Sequence, residues 1–386
     1  MASVTPIAQI RAEANRKAAR QEVNSRNATV LLVVVGILTI IGLGATLSAS
    51  SVVGLERSGD GLQFFRRQIL WVGLGVIVLV LAMRVPYQWL RRAAFPLLAV
   101  SLVGLLAVLV IGEATAGARR WITIGPLTLQ PSEFAKFAVV TYLAAIMTRK
   151  EGRLRSFGHF AVPVFASLGL ASVLIMLQPD LGTTLIIAAA ALAVLVISAA
   201  PLRYVLLTGL IGFGAAFGLA YSSPYRWERI TSFLDPWADQ LGSGFQVIQS
   251  YLALGTGGAF GVGLGASRAR WSFLPNAHTD FIFSIIGEET GFAGGLTIFV
   301  LFAVFAIVGL AIVMRAPDRF GQLLGAGLVV WISAQAVVNI GGVIGVLPVT
   351  GITLPFVSVG GSAMLMTMGA AGVLVNIARV GQPPPR

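Results

Sequence analysis

The chain has no cysteine, only 2 histidines, and charged residues make up just 11% of its 386 positions. The absence of cysteine excludes thiol catalysis and cysteine-ligated metal sites, but it identifies no cellular compartment. With so few histidines, any metal would depend mainly on oxygen ligands. The sequence also shows no nucleotide-binding loop, zinc-site spacing or Ser–His–Asp arrangement.

Apolar residues, in contrast, make up 56% of the chain, and the mean hydropathy is +0.88. Apolar runs long enough to cross a bilayer as helices recur along the whole sequence. The first run is too long for the core of a cleavable signal peptide, so we interpret it as a retained anchor. The sequence therefore predicts an all-α, polytopic membrane protein with about ten transmembrane helices. The predicted spans lie near 29–50, 66–83, 93–112, 132–148, 157–177, 181–199, 203–221, 288–314, 320–343 and 357–379.

The basic residues predict the orientation of these spans. The formal charge is +12, yet the 27 Lys and Arg residues are spread over many short loops, so topology explains them better than nucleic-acid binding does. Most fall on the side of the N-terminus, which favours cytoplasmic N- and C-termini. We expect cytoplasmic tails at 1–28 and 380–386 around a single membrane domain at 29–379.

One predicted loop, residues 222–287 on the outer side, is much longer than the others. It contains the glycine-broken apolar segment "GFQVIQSYLALGTGGAFGVGLG", which is typical of an interfacial or re-entrant segment rather than of a soluble domain. Most of the 15 acidic residues also fall on this side, which indicates a working surface at the outer face.

The end of this loop carries the densest polar group, in "PNAHTDFIFSIIGEETG". If the apolar part is helical from Asp280 onward, Asp280 and Glu288 share a broad face, and Glu289 points away. A carboxyl at the mouth of a membrane cavity tends to have a raised pKa and can act as a general base. The alternative is an acid at a helix N-terminus that satisfies exposed N–H groups, with Thr279 or Asp280 as the cap and His278 in a structural role.

A second group lies in "GARRWITIGPLTLQPSEFAK", which holds Arg119, Arg120, Glu133 and Lys136. Paired guanidinium groups suit phosphate or diphosphate, although interfacial snorkelling explains them as well. Lys136 falls inside a predicted span, where a cation indicates function, and Glu133 is its obvious partner. In "QPDLGTT", Asp180 is a candidate site residue or simply the cap of the next helix.

Two further segments complete the set. "YRWERITSFLDPWAD" in the long loop brings Arg226 and Arg229 among aromatic rings and acids, which suits charged sugars and equally an interfacial belt. Residues 339–364 carry no charge but many glycines, two prolines and the hydroxyls of Ser358 and Ser362. Irregular backbone of this kind is tolerated near a membrane only beside protein or a polar cavity.

Together these motifs resemble the SEDS family (shape, elongation, division and sporulation), over residues from about 29 to 379. The segments that carry the resemblance are "GARRWI…QPSEFAK", "QPDLGTT", "RITSFLDPWADQLGSGFQ", "HTDFIFSIIGEETGF" and "LPVTGITLPFVSVGGS". The sequences "LDPWAD…GSGFQ" and "TGITLPF" resemble the cell-division branch more than the cell-elongation branch. A member of the sporulation branch is the remaining alternative.

The resemblance implies a glycosyltransferase that polymerises lipid II into peptidoglycan strands at the outer face of the cytoplasmic membrane, at the division septum. It implies that Asp280 is the catalytic base and that a class B penicillin-binding protein and other division proteins are partners. Cations must offset the charge of the leaving diphosphate, and a divalent ion, Mg²⁺ or Mn²⁺, is a further candidate. The candidates for binding substrate or diphosphate are Lys136, Arg119, Arg120, Arg226, Arg229, His278, Thr279, Glu133, Asp180, Ser358 and Ser362, with Glu288 and Glu289 as supporting residues.

Two other functions are weighed against this one. A lipid II flippase would place coupled charges near the bilayer midplane, within reach of both sides. A scaffold without catalytic activity would leave Asp280 without a purpose. The outer position of the acids favours chemistry at that face.

Overall fold

A computed structural model describes residues 7–115, 118–125, 127–269 and 279–380 of the chain, mostly as helix. The helices are α1 (Ile7–Ser58), α2 (Gln63–Arg84), α3 (Gln88–Ile111), α4 (Pro131–Arg149), α5 (Phe157–Val164), α6 (Leu170–Met176), α7 (Leu181–Ile197), α8 (Leu202–Tyr221), α9 (Pro224–Leu234), α10 (Phe245–Gly257), α11 (Ile282–Met314), α12 (Arg319–Val343) and α13 (Gly361–Arg379). A π-helical turn at Phe165–Gly169 joins α5 to α6, so these two form one continuous span.

Within the described residues, eight helical segments are long and apolar enough to cross a membrane. They are α1 from Glu22 onward, α2, α3, the joined α5 and α6, α8, α11, α12 and α13. The two other predicted spans are also helices: α7 is apolar but has 17 residues, and α4 carries charged residues. The expected helical membrane protein is confirmed, and every predicted span falls on a helix.

Two span boundaries differ from the prediction. The N-terminal tail from Ile7 onward is helical and continues into the first span as part of α1. The eighth span begins at Ile282 rather than 288, and the last begins at Gly361 rather than 357. The break at "QPD" is where it was expected, between α6 and α7.

A small antiparallel sheet was not predicted. Its strands are β1 (Glu113–Thr115), β2 (Ala118–Ile124) and β3 (Leu127–Leu129), in the order β1-β2-β3. Alternation of apolar and polar residues in "RWITIGPLTL" is the strand signal that the sequence contained. The sheet sits between α3 and α4 and contacts both, so it covers one end of the bundle.

The centre of the bundle is formed by α12, α13 and α4, which are buried on most sides, whereas α2, α3 and α8 leave much of their surface exposed. Small residues make this close packing possible. A side chain at Gly327 of α12 would lie 2.4 Å from a methyl group of Val140 on α4 and 2.8 Å from one of Val194 on α7. Three helices therefore meet at a point that only glycine fits.

Helix α11 is broken at Gly291, where φ is +70° and ψ is −166°. The glycine-rich segment after α10 fills the break, because the N–H groups of Val262 and Gly263 donate to the carbonyls of Glu288 and Glu289. The N–H of Phe292 donates in return to the carbonyl of Gly258. The predicted re-entrant segment is thus α10 followed by a loop that packs into the kink, where protein satisfies the irregular backbone.

We predict that Gly291→Ala destabilises the protein by about 2 kcal/mol or more, because alanine is strained at positive φ. Its Cβ would also lie 2.4 Å from the backbone nitrogen of Gly261. The measurement is thermal unfolding of the detergent-purified protein. Gly44→Ala in α1 is the matched control, since nothing lies within 4 Å of the added atom. Equal melting temperatures for both variants would contradict a kink that requires glycine.

Candidate active site

Asp280 lies in the turn just before α11, and its backbone is fastened to helix α12. The side-chain amide of Asn339 donates to the carbonyl of Asp280 at 2.8 Å and to the carbonyl of Ile352 at 2.8 Å. Asn339 is buried near the C-terminal end of α12. One side chain therefore ties the Thr279–Asp280 turn to the irregular segment that follows α12.

A serine makes the second fastening. The hydroxyl of Ser358 donates to the carbonyl of Thr279 at 2.7 Å and accepts the N–H of Leu354 at 2.8 Å. Ser358 of the irregular segment and Asn339 of α12 thus hold the two backbone carbonyls on either side of the Asp280 Cα. Because the backbone carbonyls of Thr279 and Asp280 are fixed by hydrogen bonds, the direction of the Asp280 carboxyl is determined by the fold as well as by its side-chain rotamer.

The carboxyl of Asp280 is half-buried among charged groups. Desolvation by the surrounding protein raises the pKa of Asp280 to about 6; the nearby Arg229 and Arg120 oppose the rise and Asp180 adds to it. A Cβ at Gly351 would lie 3.6 Å from Oδ2 of Asp280 and 3.7 Å from Nη1 of Arg229, so both side chains reach one spot on the backbone. A carboxyl with a pKa near 6 is well matched to general-base chemistry at neutral pH.

The two neighbouring arginines do not act as a pair. Arg119 and Arg120 are consecutive residues of strand β2, so their side chains point to opposite faces of the sheet. The guanidinium of Arg120 donates through Nε to the carbonyl of Gln178 at 2.8 Å and through Nη2 to that of Pro179, which places it at the site. Arg119 donates to carbonyls at the end of α3. The prediction that Arg119 and Arg120 act together as a guanidinium pair is therefore wrong. Of the two, Arg120 lies near Asp280.

Asp180 combines the two alternatives that the sequence left open. Its Oδ1 accepts the N–H of Thr183 at 3.0 Å and its Oδ2 accepts the hydroxyl at 2.8 Å, so it caps α7. It also lies close enough to raise the pKa of Asp280. Gln130, just before α4, donates to Oδ2 of Asp180 at 3.4 Å. The capping role is confirmed, and it holds the "QPD" turn beside the site.

Lys136 is buried below the site rather than at its surface. Its ammonium donates to Glu133 Oε1 at 2.8 Å and to Gln335 Oε1 at 2.7 Å, and it lies 5.2 Å from the ring centre of Trp331. The predicted partnership with Glu133 is confirmed. Gln335 in turn donates to the carbonyl of Thr353 at 2.9 Å. Lys136 therefore supports, through α12, the segment that holds Asp280.

The two glutamates have structural partners of their own. Asp280 precedes the helix, so the expected helical relation between Asp280 and Glu288 is wrong. Buried Glu288 accepts the N–H groups of Arg268 at 3.1 Å and Ala269 at 3.2 Å, which anchors this part of the long loop to α11. Glu289 accepts the hydroxyl of Ser48 on α1. Both acids fasten α11 to its neighbours.

The remaining candidates divide into three cases. His278 lies outside the described residues. Arg226 falls in the first turns of α9, the helix that also carries Arg229. Ser362 accepts the N–H of Gln130 at 3.2 Å and so joins α13 to the start of α4. Asn339 was missed, although a polar amide near the end of an apolar span, just before an irregular segment, was the signal that could have identified it.

The side chains around Asp280 do not fit a divalent cation held by the protein. Mg²⁺ usually takes one or two carboxylates together with substrate phosphates. Asp180 already caps α7, and two guanidinium groups lie near Asp280. Across the described ranges, no group of three or more His, Asp or Glu side chains has metal-site geometry. A divalent ion bound through the substrate's own phosphates stays a prediction.

Fold and site define a class of polytopic membrane protein that holds a carboxylate between two arginines at one end of its helix bundle. The chain belongs to the FtsW/RodA/SpoVE family, described as cell cycle proteins, whose pattern it matches over residues 28–382.

Individual relatives agree with this assignment. The chain is 42% identical over 354 residues to the stage V sporulation protein E of Bacillus subtilis (strain 168), which covers 91% of this chain and 96% of that protein. It is 40% identical over 350 residues to the probable peptidoglycan glycosyltransferase FtsW of Trichlorobacter lovleyi, covering 90% of this chain and 92% of that one.

Solved structures share the fold. A chain from a structure described as "Structural coordination of polymerization and crosslinking by a peptidoglycan synthase complex" superposes with a TM-score of 0.73 at 32% identity, covering 90% of this chain and 96% of that one. The rod shape determining protein RodA of Thermus thermophilus gives a TM-score of 0.68 at 27% identity, covering 92% and 97%.

We predict that Asp280→Ala and Asp180→Ala have opposite effects on stability at pH 8. Because the folded-state pKa of Asp280 is raised, the folded protein binds more protons than the unfolded chain between about pH 4 and 6, so this residue's contribution falls as the pH rises through that window. Removing its charge should raise the melting temperature at pH 8 and raise it less at pH 5.

Loss of the Asp180 cap should instead lower stability by about 1 kcal/mol. Thermal unfolding at the two pH values measures both effects. A lower melting temperature for Asp280→Ala at pH 8 would show that the charged carboxyl is stabilising, which contradicts a carboxyl whose ionised form is disfavoured by burial.

Proposed function

We propose that this protein is a peptidoglycan glycosyltransferase that polymerises lipid II at the outer face of the cytoplasmic membrane. The observation that carries the proposal is the carboxyl of Asp280, whose pKa is raised to about 6, held by its backbone beside Arg229 and Arg120. Family membership and relatives named as peptidoglycan glycosyltransferases support the same activity.

The reaction follows from these groups. The Asp280 carboxylate takes the proton of the acceptor sugar's 4-hydroxyl, and that oxygen attacks the anomeric carbon of the donor N-acetylmuramic acid. The bond from that carbon to the diphosphate breaks with inversion, and undecaprenyl diphosphate leaves with the bonding electron pair. A base poised near neutral pH lowers the barrier to deprotonating the attacking hydroxyl.

The arginines supply the complementary charge. Negative charge grows on the diphosphate as its bond breaks, and preorganised cations stabilise it most strongly where water is excluded. Arg229 reaches the site from α9, and Arg120 is held from β2 by the carbonyls of the "QPD" turn. The position of the Arg120 guanidinium is set by these backbone contacts before substrate binds, so little reorganisation of this group is needed during reaction.

The structure gives less support to a flippase. The buried charges of a transporter should be reachable in turn from each side. Here the buried ion pair of α4, Glu133 and Lys136, is fixed by Gln335 and packed against Trp331. Asp280, Arg229 and Arg120 lie together at one end instead, where a polymerase needs them.

Partners and location belong to the same proposal. One structural neighbour is part of a peptidoglycan synthase complex that coordinates polymerisation with crosslinking. By analogy, a class B penicillin-binding protein is the partner we propose here, with other division proteins at the septum. We expect both termini to lie in the cytoplasm, because the distribution of basic residues favours that orientation.

Asp280→Asn should abolish polymerisation of lipid II by the purified protein with its transpeptidase partner, because an amide cannot accept the proton. Loss of a general base costs roughly 10²–10⁴-fold in rate. Gel analysis of labelled glycan strands measures the product, and Asp60→Asn, an exposed acid in the α1–α2 turn, is the control. Retention of full activity in Asp280→Asn would eliminate this residue as the base.

The rate should also depend on pH through the same group. We expect kcat/KM to rise with pH, reach half its plateau near pH 6 and fall roughly tenfold below the plateau at pH 5. Arg229 lowers the pKa of Asp280, so Arg229→Gln should move this limb to higher pH. Arg119→Gln is the control, since Arg119 contacts α3. An unmoved limb in Arg229→Gln would contradict the coupling.

A further inference from the structure

A second charged cavity lies at the other end of the bundle from Asp280. It has a volume of about 460 Å³ and lies where α3 and α12 begin and α4 ends. Phe320 lines it, whereas Asn339, nineteen residues later on α12, contacts Asp280. At 1.5 Å per helical residue the two sites are roughly 28 Å apart, close to the thickness of a bilayer core.

Three arginines converge on this cavity: Arg91 and Arg92 from the first turns of α3, and Arg149 from the last residue of α4. Among the ion pairs of the described residues, none involves these three side chains. The cavity therefore concentrates positive charge that no carboxylate of the described residues neutralises in an ion pair.

The acid that lines the cavity is engaged elsewhere. Asp318 accepts the N–H of Gly321 at 2.6 Å, which caps α12, and the hydroxyl of Tyr87 at 2.7 Å. Each carboxylate oxygen thus has an internal donor. Guanidinium groups beside an already satisfied acid suit an external anion with several acceptor oxygens, and phosphate is the closest match.

The walls of the cavity indicate where that anion comes from. Phe95 lines it and is 71% exposed, and Ile146 and Ala94 form further apolar wall. Trp89, six residues before Phe95 on α3, is 60% exposed and lies under the guanidinium of Arg92 at 5.6 Å. Exposed tryptophan beside arginine is typical of the headgroup level of a membrane. The cavity thus joins a basic floor to a surface that faces lipid tails.

We propose that this cavity binds the phosphate headgroup of an anionic phospholipid from the leaflet opposite the catalytic site. The arginines bind the phosphate oxygens, and the first acyl carbons lie along Phe95. Basic clefts between transmembrane helices recognise such headgroups, and each basic residue near the surface contributes about a factor of five in affinity. The lipid-binding proposal does not depend on the proposed glycosyltransferase activity, because lipid binding is measured without turnover.

The test is native mass spectrometry of the full-length protein in neutral detergent, titrated with phosphatidylglycerol and, in parallel, with phosphatidylcholine. We expect phosphatidylglycerol to bind more tightly, and R91Q/R149Q to weaken it roughly 30-fold, since two charges are lost. The control R153Q/R155Q removes two exposed charges from the segment just after α4, outside the cavity, and should change affinity less than threefold.

Two further arms of the experiment separate direct phosphate contact from a general attraction between charges. R91K/R149K keeps the charge but loses the planar guanidinium fork, so an intermediate affinity would support direct phosphate contact. Inorganic phosphate should bind far more weakly than the lipid, because it buries no acyl chain. Equal affinity for phosphate and lipid, or equal losses in R91Q/R149Q and R153Q/R155Q, would overturn the proposal. Unchanged lipid affinity in R91Q/R149Q would do so too, and would leave an acidic protein segment as the occupant.

Discussion

Asn339 donates to two carbonyl oxygens that no helix can satisfy, those of Asp280 and Ile352. In an apolar bundle each such carbonyl would be costly if left alone, so irregular backbone can exist only where a side chain reaches it. Ser358 does the same for Thr279, and Gln335 for Thr353. The Thr279–Asp280 turn, the segment after α12 and the buried lysine therefore form one hydrogen-bonded unit, and the half-buried carboxyl of Asp280 lies at its end.

The same arrangement explains how the site reconciles two opposing requirements. The carboxyl must be desolvated enough to become a useful base, yet ionised when substrate arrives. Burial raises its pKa, and Arg229 and Arg120 limit the rise to about 6. The charge balance is therefore set by elements far apart in sequence, namely β2, α9 and the turn before α11, and it is the packing of the bundle that keeps them at fixed distances.

The helical framework was predictable from the sequence because apolar length is a local property. Asp280 was identified mainly through the resemblance of its motif, since spacing alone allowed a helix cap as well. Other features depend on tertiary contacts that no window of sequence contains. The sequence predicted that Arg119 and Arg120 act as a pair, but both lie on strand β2, which directs their side chains to opposite faces. It also predicted that Glu288 lies on the same helical face as Asp280, but α11 begins only at Ile282. Because Asn339 carries no charge, the distribution of charged residues did not indicate a role for it.

The buried ion pair of α4 has a consequence for how the chain enters the membrane. Lys136 relies on Gln335, which is synthesised 199 residues later, and on Trp331 of the same late helix. Until α12 emerges from the ribosome, only Glu133 is at hand to compensate that cation in a segment of moderate hydrophobicity. The full set of contacts to Lys136 is thus available only once part of the last third of the protein has been made.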